Sequence, residues 1–156
     1  MVLQFDFSNK SAVLDDNGIP PFPATSIMTL AKAITTLLNS PAKIDGSFYH
    51  ISDGVLTQQE ILRIVERESG SPWKKTSFSI EAGRLEAAEN MKKGIYGPKE
   101  FIAFLRAPFF GGLQTWIHVD NEVLGIKDED RVDTRDEVAR LAREHLQSAE
   151  KNRSRM

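Results

Sequence analysis

Apolar and polar residues alternate at the start of the chain. Leu3, Phe5 and Phe7 fall on one side, Gln4 and Asp6 on the other. A period of two predicts a half-buried strand over 3–7. Ser8-Asn9-Lys10 reads as a turn and Ser11 to Leu14 as a second short strand. Asp16-Asn17-Gly18 then offers residues that tolerate positive φ in a tight turn, so the pattern predicts a hairpin near a sheet edge. Pro20, Pro21 and Pro23 keep the next residues extended and forbid a helix there.

The period then changes. Ile27, Leu30, Ala31, Ile34, Leu37 and Leu38 recur at helical spacing and predict an amphipathic helix over 26–39, stopped by Pro41. Ser47 to Ile51 reads as a short aromatic and β-branched strand. Thr57 and Glu60 form a T-x-x-E capping box that opens a helix through Ile61, Leu62, Ile64 and Val65, with Gly70 placed to end it. A strand over 73–78 follows. Ser79 then caps a polar helix to about residue 93, weakened in its middle by Gly83. Gly94 and Gly97 break the chain, and Pro98 suits the first turn of a helix over 99–110. The density of Phe101, Ile102, Phe104, Leu105 and Phe109 predicts burial of that helix on more than one side. A loop with Trp116 and His118 precedes a short segment at 122–124. Thr134 and Glu137 then read as a second capping box, opening a last helix through Val138, Leu141, Ala142, His145 and Leu146. The polar, basic tail over 151–156 reads as frayed. The elements define a mixed α/β class with helices predominating over a few short strands.

Composition narrows the function classes. The 156 residues, 40% hydrophobic and 27% charged, suit one soluble domain over 1–150. A formal charge of −2 argues against nucleic acid or anionic lipid as a general partner. The absence of cysteine excludes disulfides and thiolate zinc sites. No stretch approaches the roughly 20 apolar residues of a membrane span, and the start lacks the pattern of a signal peptide. A cytoplasmic location is the expectation.

Familiar catalytic signatures are missing. The glycines fall in neither G-x-G-x-x-G nor P-loop spacing. Gly94-Ile95-Tyr96-Gly97 comes nearest, but no strand precedes it and Pro98 removes a donor. His118-Val119-Asp120 has the spacing of two metal ligands on a strand, and equally that of a loop histidine beside a capping aspartate. No G-x-S-x-G elbow exposes a serine. The acidic pairs Asp15-Asp16 and Glu129-Asp130 lie in turns. Neither a metal site nor a catalytic residue is assigned. The aromatic residues supply the pocket candidates: Phe22, Tyr96, Phe109, Phe110 and Trp116 lie in or beside loops, with His118 close by. Each phenylalanine reads first as core and second as pocket wall. Trp116, in the polar setting QTWIH, is the strongest single candidate.

The run FDFSNKSAVLDDNGIPPFPATSIMTLAKAI, with YHISDGVLTQQEILRIVERESGSPWK, MKKGIYGPKEFIAFLRAPFFGG and NEVLGIKDED, resembles the C-terminal half of NmrA-like, isoflavone-reductase-type proteins, especially fungal members. The resemblance spans about residues 3–130. It implies the substrate-side portion of a Rossmann-type fold, with residues 47–52 as a late strand of the sheet. It further implies NADP(H)-dependent reduction of a small metabolite in a fungal secondary-metabolite pathway. The PFPATS loop matches the family's stretch before a substrate-side helix, which places Phe22 and Thr25 as pocket lining. The family's glycine-rich loop and reductase lysine have no counterpart here, so the dinucleotide-binding half is expected to be absent and no cofactor-binding residue is carried over. The implied partners are a small metabolite and a protein or second chain covering an exposed sheet edge. A non-catalytic binding module and an inactive fragment are the alternatives.

Overall fold

The computed structural model describes residues 4–111 and 119–153. The first three strands are β1 (Gln4–Asp6), β2 (Ser11–Asp15) and β3 (Pro21–Ala24), followed by helix α1 (Ile27–Asn39). Next come β4 (Gly54–Thr57), α2 (Gln58–Ser69) and β5 (Lys74–Phe78). Three helices complete the chain: α3 (Ile80–Lys92), α4 (Pro98–Phe110) and α5 (Thr134–Arg153). The class is mixed α/β with helices predominating. Among the described residues, no helix is long and apolar enough to cross a membrane.

The hairpin forms where the alternation places it. β1 pairs antiparallel with β2, Phe5 opposite Ala12, and β2 pairs parallel with β5, giving the order β1-β2-β5. Asp16, Asn17 and Gly18 turn the chain with φ of 43°, 63° and 72°. The proline-rich segment is itself a strand. β3 pairs antiparallel with β4, with Phe22 opposite Leu56. Successive residues of a strand direct their N–H groups to opposite sides, so Pro21 and Pro23 withhold donors from the same edge.

The main core lies between the three-stranded sheet, α2 and α5. Phe5, Ala12, Leu14, Leu56, Ile61, Leu62, Val65, Trp73 and Ala142 are buried together, with Val138 and Leu146 packed against them. The Thr57–Glu60 box forms with both of its hydrogen bonds, and Gly70 ends α2 in the left-handed conformation. Ion pairs from Arg135 to Glu60 at 2.6 Å and from Arg143 to Glu68 at 2.8 Å fasten α5 to α2. Gly83 has a packing reason inside α3, because a Cβ there would lie 2.2 Å from the Phe78 ring.

Several expectations are corrected. Residues 47–52 form no strand. Their backbone bonds instead to one turn: Asp120 N–H donates to the His50 carbonyl (2.6 Å), and the Asn121 side chain bonds both the N–H and the carbonyl of Ser52 (3.2 and 2.7 Å). A side-chain amide carries a donor and an acceptor, so the buried Asn121 supplies what a neighbouring strand would. The last helix is capped by Asp133, not Thr134. The Asp133 carboxylate accepts from the N–H groups of Arg135 and Asp136, while Glu137 binds Arg140. In α4, Phe101, Ile102, Phe104 and Phe109 are exposed, whereas Glu100 and Arg106 are buried. In α1, Thr29 and Ala33 face inward, and Leu37 packs toward Leu124 and Ile126. Ile27, Leu30, Ile34 and Leu38 face outward. α5 also extends through Lys151 to Arg153, taking in the first part of the basic tail.

Candidate functional site: an aromatic groove

A groove of about 530 Å³ opens between the hairpin, β3, one face each of α2 and α5, and the last turn of α4. Its size lies within the range of small-molecule sites. Each wall has a local cause. Phe5 and Phe7 come from the alternating start, and Phe22 with Pro23 from the proline-rich strand. Val138, Leu141, Ala142 and His145 come from α5 at spacings of three and four, which sets them on one face of that helix. Phe109 and Phe110 close the groove from the last turn of α4, where Gly111 donates its N–H to the Ala107 carbonyl at 2.9 Å.

The aromatic rings are set edge to face and not as a loose cluster. Phe22 meets Phe110 at 5.1 Å and 86°, and Phe7 meets Trp73 at 5.1 Å and 84°. Both geometries match the positive ring edge to a negative ring face. Phe109 lies 6.3 Å from Phe110 and stays half exposed at the mouth. His145 stacks on Phe7 at 5.0 Å. It is the one titratable group among the described residues that line the groove. Such a site can hold an apolar, planar group and offer it a single imidazole.

Behind Phe110, at the carboxyl ends of the parallel strands, lies a buried polar knot. Asp15 is fully buried and Arg106 only 4% exposed. The Arg106 Nε donates to Asp15 Oδ1 at 2.6 Å, and Gln58 bonds both the Asp15 carboxylate (2.9 Å) and its N–H (2.7 Å). The guanidinium also lies 4.3 Å from the centre of the Phe78 ring. Its Nη2 sits 2.5 Å from the same Oδ1, too far off line for a hydrogen bond, and has no other partner. Arg106 and Gln58 thus engage both oxygens of the carboxylate. Its role is to join β2 to α2 and α4. Elsewhere, the hydrogen bond from Asn90 holds the Glu100 carboxyl below its ordinary value.

The structure brings together Phe22, Phe109 and Phe110 from the sequence candidates. Thr25 lies outside the groove, exposed, its hydroxyl donating to the Ile51 carbonyl at 2.9 Å. Its work is to fix residues 51–53 beside α1. Tyr96 is exposed in the α3–α4 connection and does not line the groove. Trp116 and His118 lie outside the described residues. The sequence places His145 on the last helix facing a groove or solvent, and it lines this one, but assigns no pocket role to Phe5, Phe7 or Leu141. Their signals were the alternation of β1 and the helical spacing of α5, both read as core alone. No group of three or more His, Asp or Glu able to hold a metal occurs among the described residues.

Comparison with known proteins gives a distant likeness. No family model matches the chain, and no solved structure does. "Oxidoreductase poxI" of Penicillium oxalicum, and the protein of the same name from strain 114-2 / CGMCC 5302, are each 21% identical over 133 residues. The match covers 82% of this chain and 42% of each relative, so it spans about two fifths of their length.

Proposed function

We propose that the chain is the substrate-side portion of an oxidoreductase of NmrA-like, isoflavone-reductase type. In this reading the aromatic groove holds the apolar part of a small metabolite, one belonging to a fungal secondary-metabolite pathway. The observation that carries it is the groove built from Phe22, Phe109 and Phe110 in a chain of which 82% matches an oxidoreductase. The groove does not fit NADP(H). A pyrophosphate needs cationic groups or a cluster of free N–H donors, and the walls here are aromatic and aliphatic apart from His145. In this reading the dinucleotide is held by other polypeptide. This chain binds and orients the substrate and keeps water from it.

Calorimetric titration of the purified chain with benzylideneacetone, an aromatic enone, and separately with NADPH tests this. The expected result is saturable enone binding, weakened at least tenfold in Phe110→Ala and in Leu141→Glu, with no heat from NADPH. Absence of enone binding, or binding indifferent to both substitutions, would overturn the groove assignment. Saturable NADPH binding would overturn the division of labour. A purely binding role is the second reading. It is favoured by the single titratable group in the groove, which leaves little for acid–base chemistry.

A further inference from the structure

α1 turns its larger side chains away from the protein. Ile27 is 81% exposed and Leu38 70%, while Leu30 and Ile34 are each about half exposed. At 100° per residue, Ile27, Ala31, Ile34 and Leu38 fall in one narrow stripe, with Leu30 and Thr35 at its margins. The stripe contains no charge. Lys32, the one ionisable residue of the helix, lies to its side and pairs with Asp130 at 2.5 Å. The inward face is held independently: Asp53 accepts from the Ser26 N–H (2.6 Å) and the Thr29 hydroxyl (2.5 Å), fixing the orientation of α1 from its first turn. The outward stripe is therefore a fixed surface of the folded chain.

We infer that this stripe is the contact between two copies of the chain, packed as an antiparallel helix pair about a two-fold axis. The arrangement of side-chain sizes supports a second copy over an unrelated partner. With the axis through the middle of the helix, Ile27 lies against the partner's Leu38 and Ala31 against the partner's Ile34. Large side chains meet at both ends, and a small residue faces a large one on each side of the axis. That is the self-complementarity an isologous contact requires. The exposed fractions along α1, Met28 included, scale to an apolar area on the order of 600 Å² per copy, against the roughly 800 Å² per partner of a standard interface. Over both copies that is about 1,200 Å², the lower end of the range for stable interfaces. The uncharged centre matches the depletion of charge in interface cores. The inference does not rest on the functional reading above.

Sedimentation velocity on the intact chain from 1 to 100 μM tests it. The expected species is a dimer of about 35 kDa, twice the 17.5 kDa chain mass. Ile34→Glu should raise its dissociation constant at least a hundredfold, with the circular dichroism spectrum and melting temperature of the dilute protein unchanged. Phe101→Glu, on an exposed face of α4, should leave the dimer intact. Because the chain has no cysteine, Ala31→Cys gives a single thiol beside the proposed axis, and a short bismaleimide should crosslink it into a dimer. Ser148→Cys on α5 should stay monomeric under the same treatment. A monomer at every concentration would overturn the inference and leave the stripe to other polypeptide. A dimer that survives Ile34→Glu, or that Phe101→Glu breaks equally, would overturn it by placing the contact elsewhere.

Discussion

α1 and α2 are amphipathic helices of nearly equal length, 13 and 12 residues, each opened by a hydroxyl side chain that accepts from a backbone N–H in the first turn. Their apolar faces meet opposite fates. α2 buries Ile61, Leu62, Ile64 and Val65. α1 buries Thr29 and Ala33 and leaves its isoleucines and one edge of leucines in solvent. A periodic pattern thus identifies which face of a helix seeks cover, but not which molecule supplies it. For α2 the cover is the sheet and α5. For α1 the described residues supply none.

The contrast is breakable in measurable steps. Leu62→Ala should cost the most, about 2–5 kcal/mol, since a buried leucine leaves a cavity when truncated. Urea denaturation of dilute protein would report it, and a loss below 1 kcal/mol would mean the α2 face is less enclosed than described. Thr57→Ala removes one arm of the capping box and should cost about 1 kcal/mol by the same assay. If the cap were idle, the two midpoints would coincide.

Acid should probe the α2–α5 clasp. The hydrogen bond from Arg135, against a smaller opposing effect of burial, holds the Glu60 carboxyl below its ordinary 4.5. A carboxyl with a depressed folded value contributes its stability in full above the unfolded value, and loses it as pH falls through the folded one. Melting temperature should therefore drop below about pH 4.5, and less steeply in Glu60→Gln; equal slopes would rule Glu60 out as a contributor. The smallest effect belongs to α1. Leu38→Ala should shift the stability of dilute protein by less than about 0.5 kcal/mol, because the side chain has few partners to lose. A shift of 2 kcal/mol would show that the stripe is already covered within one chain.

Much of the backbone was legible in the sequence. The hairpin turn, both ends of α2, the Ser79 cap and the glycine breaks are local events, and local residues encode them. What the sequence hid depends on distant partners. Residues 47–52 have strand composition, yet Asn121, some 69 positions away, satisfies their backbone. Thr134 and Glu137 fit the capping spacing, but Asp133, one residue earlier, is the stronger acceptor and takes the cap. Of the groove, the loop aromatics were visible because their setting is unusual. Phe5, Phe7 and Leu141 were not, because a pocket wall and a core wall share one periodicity until the third side of the space is known.

The knot between Asp15 and Arg106 has a bearing on how the chain finds its fold. Its two halves stand 91 positions apart and enclose in that loop everything from β3 to most of α4. Closing so long a loop late in assembly is slow relative to helix formation, so refolding should show early helical signal and a delayed final phase. Collapsed arrangements that bury either charge alone carry a penalty of several kcal/mol, while the native one lets aspartate, arginine and glutamine meet. The pair thus works as a proofreading contact, penalising near-native compact states that hydrophobic packing alone would tolerate.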